Sequence, residues 1–369
     1  MNAPTAVTSE LPQQPVRERF DAEFSGNGAE YFRIWIVNIA LTLLTLGIYS
    51  AWAKVRNKQY FYGNTRLAGG SFEYTASPIN ILKGRLIMFG ILIAYQLAAA
   101  FQPVLALVLA LLIVPLVPWI VIKAIAFNLR YSSYRGLRFH FEGGYREAFR
   151  VYLLWTLAAI VSLGLAYPYV AWRRKQFLVQ RARYGRSPFA FTGEAGWFYV
   201  VYVVGGIVYA GVIIAAMLLV GSALMLAGMS TGTDLESIDL DGAGKGIAIG
   251  VALVLYALLL LSFLVFNTAI QALIANHVWQ HTAIGEVAFD LRLSVWRVIW
   301  IQSTNIVAII ASLGLLIPWA KVRMARYRLS CFAMIAAPAD LESFVASERE
   351  RLSATGAEMG DALDLDLGL

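Results

Sequence analysis

Charge is scarce in this chain and cysteine almost absent. Asp, Glu, Lys and Arg make up 14% of its 369 residues, against roughly 25% in an ordinary soluble domain, while apolar residues reach 59% and mean hydropathy is +0.64. That balance excludes a disordered chain, a coiled coil and a water-soluble enzyme. The lone thiol, Cys331, excludes an intrachain disulfide and a cysteine-built zinc site, which needs several thiolates. No GxSxG, GxxxxGK[ST] or HExxH pattern occurs, so a serine hydrolase, a P-loop nucleotidase and a zincin all lack support. No acid or base sits in the middle of an apolar run, which counts against a proton-coupled pump. Residues 1–30 hold no apolar h-region, so the expectation is no cleavable signal peptide, with the first hydrophobic segment serving for targeting.

What the chain does have is long apolar stretches, at 34–53, 86–122, 151–172, 195–233, 246–285 and 298–320. A membrane-crossing helix needs about 20 apolar residues. Gln102-Pro103 divides the second stretch into helices near 82–101 and 104–127, and single helices are expected near 198–228 and 247–275. The formal charge is +7, but 337–369 holds eight acids and two bases, so residues 1–336 carry +13. The bases flank apolar runs instead of forming a free tail, which points to membrane lipid and away from nucleic acid.

Three segments align without gaps, 24–60, 141–177 and 291–327. Gly47, Gly164 and Gly314 coincide; so do Trp52, Tyr169 and Trp319, and so do Arg56, Arg173 and Arg323. Glycine tends to end a helix in left-handed backbone, and proline, here Pro168 and Pro318, favours a helix start. Each unit therefore reads as helix, break at glycine, second helix. The second helix carries the aromatics and guanidinium groups that settle at a lipid–water interface. Short Phe-alternating stretches bracket the units: RFDAEF, FEYTA, LRFHF, FAFTG, VAFDL and CFAMI. They read as six strands of a small sheet or barrel, or as interfacial loops; Gly70, Gly136, Gly143, Gly193 and Gly285 read as turns.

The expected fold is a mainly α polytopic membrane protein, with three helix–break–helix units separated by two transmembrane hairpins and short cytoplasmic strands. Its divisions are 1–19 (disordered), 20–78 (unit 1), 79–128 (hairpin 1), 129–196 (unit 2), 197–276 (hairpin 2), 277–336 (unit 3) and 337–369 (disordered acidic tail). Segments 54–85, 123–150 and 173–194 each carry six Lys or Arg, and 321–328 carries four. Positive loops stay cytoplasmic, and the acidic 234–245 fits the outside. Seven full crossings would put one six-base loop outside. Helices of about 15 residues before each break span only about 22 Å, short of a ~30 Å core. Four crossings with three re-entrant or interfacial helix pairs keep every basic loop inside.

The run Glu30-Tyr31-Phe32, Asn38, Thr45-Leu46-Gly47-Ile48-Tyr49 and Trp52-Ala53, followed by Tyr60, Asn64, Phe72 and Tyr74, resembles the YjgN-like bacterial inner-membrane proteins, over about residues 20–336. That family is one of unknown function. The resemblance implies a multi-pass chain in a bacterial inner membrane and supplies no site residues.

Sites are sparse. His277 and His281 lie one helical turn apart, with Glu286 and Asp290 beyond; they read as polar helix-end residues or as half a metal site, and no metal or other cofactor is assigned. Gln96, Asn267, Gln271, Gln302 and Asn305 give either interhelical hydrogen bonds or a polar path. The small faces at Gly205-Gly206, Gly211 and Gly221 serve packing within the chain or a seam between copies. Arg56, Arg173 and Arg323 either pin each second helix to phosphate or share an anionic-lipid pocket. No catalytic residue is assigned. The functional expectation is binding or transport of a lipid or other amphipathic molecule; the alternative is a membrane scaffold whose acidic tail recruits unidentified protein partners.

Overall fold

Short strands, not the long helices, organise the molecule. The computed structural model describes residues 17–231, 243–338 and 345–348. Its strands are β1 Glu18–Phe24, β2 Thr65–Leu67, β3 Gly70–Tyr74, β4 Ser132–Tyr134, β5 Leu137–Phe141, β6 Ala182–Tyr184, β7 Ser187–Phe191, β8 Thr282–Ile284, β9 Val287–Leu291 and β10 Phe332–Ala336. All ten pair antiparallel into one closed barrel, in the order β1-β10-β9-β8-β7-β6-β5-β4-β3-β2. Closure removes every exposed sheet edge, so nine strands of three or five residues and one of seven suffice. Alternation sends Leu67, Phe72, Tyr134, Phe139, Tyr184, Phe189, Ile284, Phe289 and Met334 into the barrel core. Their neighbours Arg66, Glu73, Arg138, His140 and Arg183 take the outer face.

Four two-residue turns join the hairpins. Positive φ at Ala68 and Gly69, and again at Arg135 and Gly136, matches the twist that such turns require; Gly185 and Gly285 supply it in the other two. Helices fill the connections at the opposite end. After β1 come α1 Gly28–Leu44 and α2 Ser50–Gly63. After β3 come α3 Pro78–Phe101, α4 Pro103–Ile113 and α5 Leu116–Arg130. After β5 come α6 Tyr145–Phe149, a π-helical turn Arg150–Leu154, α7 Trp155–Val161 and α8 Tyr167–Gln180. After β7 come α9 Ala195–Thr231 and α10 Ala243–Gln280, and after β9 come α11 Val295–Ala311 and α12 Ile317–Ser330.

One backbone hydrogen bond marks every return to the barrel. The N–H just beyond a strand donates to the carbonyl that ends the next helix pair: Ser25 to Asn64 at 3.0 Å, Thr75 to Tyr131 at 2.9 Å, Glu142 to Arg181 at 2.9 Å, Thr192 to His281 at 3.0 Å and Arg292 to Cys331 at 3.0 Å. Five strand–helices–strand units therefore surround the axis. Their helices turn in two ways. In three units a tight reversal with two consecutive left-handed residues separates the helices: Leu46-Gly47, Leu163-Gly164 and Leu313-Gly314, with glycine φ of +92°, +91° and +91°. In the other two, longer helices make the excursion. Among the described residues three helices are long and apolar enough to cross a membrane, Pro78–Phe101, Ala195–Ser222 and Leu253–Gln280; a fourth crossing arises if the pair α4–α5, bent by 47°, is one span.

This architecture corrects the expected fold class. The chain is a closed ten-stranded antiparallel barrel carrying helices, and the strands are its hub instead of an accessory to a helical bundle. All six Phe-alternating stretches are strands, but four more, TRL, SSY, ARY and TAI, complete the hairpins. Of the five glycines expected as turns, Gly136 and Gly285 occupy hairpin turns, whereas Gly70 begins β3 and Gly143 and Gly193 precede helices. At Gly205 a Cβ would stand 2.8 Å from the Phe266 ring, so α9 and α10 pack closely there; Gly206, Gly211 and Gly221 have no atom within 4 Å of that position. Of the acidic stretch 234–245, residues up to 242 lie outside the described residues, as do Asp361, Asp364 and Asp366.

The seam where first and last strands meet is tied by charge. Arg19 of β1 reaches across β10 to Asp290 of β9 at 2.7 Å, and Arg292 holds the same carboxylate at 2.9 Å. Burial alone pushes the Asp290 carboxyl up, but the two guanidinium groups outweigh it and hold its pKa below the ordinary value. Stability from this pair is present above the unfolded pKa and lost as pH falls through the lower folded value. The wild-type melting midpoint is expected to be level at neutral pH and to fall below about pH 4. Asp290→Asn should lower stability at neutral pH by about 2 kcal/mol and flatten the acid decline, read by thermal melts in detergent.

Candidate ligand-binding cavity

The helix end of the barrel opens into a well of about 960 Å³ between α2, α5, α10, α11 and α12. Its walls are chiefly apolar, with Phe61, Ile306, Ile309 and Ile317 higher up and Phe72 and Phe139 at the barrel mouth. α12 contributes most. Lys321, Met324, Ala325 and Arg328 follow one another at helical spacing and therefore share the face turned to the well. Facing them, Gln302 and Asn305 project from α11. A second lobe of about 490 Å³ shares Trp279, Gln302, Met324, Arg328 and Leu329, and adds Asn267, Thr268 and Gln271 from α10. A third, of about 400 Å³, extends between α5, α8 and α10.

Trp279, in the last turn of α10, borders all three lobes and stands over the barrel core, with its ring against Phe289 at 5.7 Å and Phe332 at 5.0 Å. Beneath it lies a chamber of about 120 Å³ lined only by apolar and aromatic residues. An aromatic girdle surrounds the chamber: Phe139 to Phe189 at 6.4 Å, Phe189 to Phe289 at 6.2 Å, and Phe289 to Phe332 at 6.0 Å. The corresponding place on β1 holds Ala22, and Phe332 on the neighbouring β10 fills the gap. Two phenols tie the hairpins together inside the core, Tyr134 donating to the Leu67 carbonyl at 2.7 Å and Tyr184 to the Tyr134 carbonyl at 2.9 Å.

The electrostatics of the well are one-sided. Among the described residues, no carboxylate lines it, and neither Lys321 nor Arg328 has an acidic partner. Lys321 and Arg328 are exposed, and two unneutralised cations beside an apolar wall attract an anion in a way that added salt weakens.

The three arginines singled out by position lie elsewhere. Arg56 sits over the Tyr49 ring at 6.0 Å and Arg173 over Trp172 at 5.6 Å; Arg323 sits over Trp319 at 5.1 Å and donates to Thr304 at 2.7 Å and Asn305 at 3.1 Å. Each stays within its own unit, and none lines the well. Of the aromatics, Trp52 packs beside Ala51 and Val55, Tyr169 lies between Trp155 and Trp172, and Trp319 rests against Gly28 of α1. Of the five polar seam residues, Asn267, Gln271, Gln302 and Asn305 do converge on the well, while Gln96 is exposed on α3. Lys321 and Arg328 carried no positional signal beyond their place in a basic cluster. Their seven-residue spacing, two helical turns, was the available clue.

The two histidines meet, ring centroids 4.1 Å apart, and His277 also stacks on Trp197 at 5.7 Å. Glu286 pairs with Arg17 at 3.0 Å and Asp290 with Arg19 and Arg292, so both acids that could have completed a metal set are held by arginine.

The family described as bacterial proteins of unknown function, DUF898, matches residues 19–362. The inner membrane protein YjgN of Salmonella typhimurium is 30% identical over 143 residues, 38% of this chain and 36% of that protein. YjgN of Escherichia coli K12 is 29% identical over 145 residues, 39% of this chain and 36% of that protein. The chain thus spans little more than a third of the length of the curated relatives it matches. The resemblance read from the Glu30–Tyr74 motifs agrees with both findings. No solved structure matches.

Proposed function

Since the chain belongs to the DUF898 family, bacterial proteins of unknown function, we propose its role from the cavity: an inner-membrane protein that binds an anionic amphipathic molecule in the well and moves or presents it. The observation that carries this is a well of about 960 Å³ with apolar walls, two cations and no lining acid. The anionic head meets Lys321 and Arg328, with Gln302 as a neutral partner, and the apolar part lies along Ile306, Ile309 and Ile317. The three membrane-length helices and the names of the relatives support the location. The excess of Lys and Arg beside the barrel supports a cytoplasmic barrel, with α1, α7 and α11 entering the membrane without crossing it. The five similar returns to the barrel support a multi-pass chain built on an internal repeat. Arg56, Arg173 and Arg323 have a shallower task, holding their helices at the phosphate layer while their aromatics sit beside them.

Lipid extracted from the detergent-purified protein tests this. An anionic species at fixed stoichiometry is expected, and Lys321→Gln with Arg328→Gln should reduce it by about tenfold or more, since charge-assisted bonds to both cations are lost. Arg56→Gln, Arg173→Gln and Arg323→Gln together should leave it in place. The opposite pattern would move the site to those arginines, and no retained anion in any variant would end the proposal.

A further inference from the structure

The barrel's other end, where the hairpin turns lie, is occupied by a segment from the C-terminal part of the chain. Residues 345–348 form one helical turn. Val345 is buried in the barrel core with Leu137, Tyr184 and Val287. Glu348 is fully buried; its carboxylate accepts from the backbone N–H of Arg186 at 2.6 Å and the Ser187 hydroxyl at 2.7 Å. Arg186 lies in the β6–β7 turn and Ser187 begins β7. The close approach depends on Gly185, where a Cβ would stand 2.5 Å from Glu348 Oε2 and φ is +60°.

A carboxylate stripped of water needs such donors, because an unpaired buried charge is costly. The seat is also small. Among the described residues the segment is a single helical turn, anchored through Val345 and Glu348, whereas ten paired strands make up the barrel beneath it. Local opening starts at short elements outside the paired ladders, so a single turn seated on the barrel end can leave while the barrel stays folded. Its departure would uncover a core whose far side is the apolar chamber under Trp279, and beyond Trp279 lies the well.

We propose that the turn end of the barrel is a docking site for a short segment pairing an apolar residue with an acid three positions on, and that residues 345–348 occupy it reversibly as a latch on the barrel core. The latch goes beyond the ligand proposal and does not depend on it.

The test uses the full-length chain with Cys331→Ser and Val345→Cys, labelled by a membrane-impermeant maleimide. Slow labelling is expected, accelerated about tenfold or more by Glu348→Gln, because bonds to a charged group are lost. Ser187→Ala should give a smaller rise in the same direction. Glu286→Gln, at another hairpin turn, should not change the rate, and unchanged melting midpoints would show the barrel intact in each variant. Labelling that stays slow with Glu348→Gln makes the segment a permanent part of the core and overturns the latch. Labelling already fast in the parent overturns the seat itself, and so does a rise with Glu286→Gln equal to that with Glu348→Gln.

Discussion

Tyr134→Ala is expected to cost about 3–5 kcal/mol, enough to leave little folded protein at 37 °C. Tyr134 is buried in the barrel core, where its ring stacks on Phe72 at 4.7 Å and lies 6.0 Å from Tyr184. Its hydroxyl bridges β4 to β2 through the Leu67 carbonyl. Truncation therefore removes a large apolar volume, leaves a cavity and orphans a carbonyl together. Neighbours cannot collapse into the space, because closed ladders on both sides hold β4 in register. Tyr134→Phe should cost only about 1 kcal/mol, since it removes the hydrogen bond and keeps the volume. Denaturant midpoints in detergent separate the two. If both variants lie within experimental error of wild type, the barrel core is not what holds the molecule together.

The second large effect lies at the helix reversals. Gly47, Gly164 and Gly314 all sit near φ +91°, each behind a leucine already left-handed. Valine at each should cost about 1–3 kcal/mol, because a β-branched side chain is strained in that conformation whatever the space around it. Space is not the constraint: no atom lies within 4 Å of a Cβ at Gly47 or Gly164. The three sites share no partners, so the triple variant should lose close to the sum of the singles. Gly90→Ala and Gly206→Ala, in helices with the same open surroundings, should instead be neutral or mildly stabilising. Equal behaviour of the two groups would show that conformation at the reversals does not matter.

Part of this was legible in the residues. The Gly47, Gly164 and Gly314 breaks could be found because a tight reversal demands one residue type at one place. Phe72, Phe139, Phe189 and Phe289 could be found because each is flanked by polar or small residues at strand spacing. The strands TRL, SSY, ARY and TAI could not: three residues are too few to show a period. The signal for them was indirect, a glycine-containing pair immediately before each next strand. With those strands hidden, two units passed for separate hairpins, and hydropathy dominated by helices made the barrel look secondary. The well was half legible. Gln302, Asn305, Asn267 and Gln271 stood out as polar groups in apolar runs, but which face of α12 looks inward depends on α1 packing against its other side, through Trp319 on Gly28 and Arg326 on the Gly26 carbonyl at 2.9 Å. No local pattern encodes a contact across nearly the whole chain.

That distance has a consequence for how the protein is made. β1 pairs with β2 on one side and with β10 on the other, and β10 leaves the ribosome long after β1. At roughly 5–20 residues per second the nascent chain keeps one flank of β1 unpaired for about 15–60 s while several apolar helices are being made. Throughout that interval Glu18–Phe24 presents the kind of edge on which foreign strands aggregate. Its own sequence, ERFDAEF, interleaves four charges with its aromatics, a composition that discourages stray pairing until Phe332–Ala336 arrives to complete the ring.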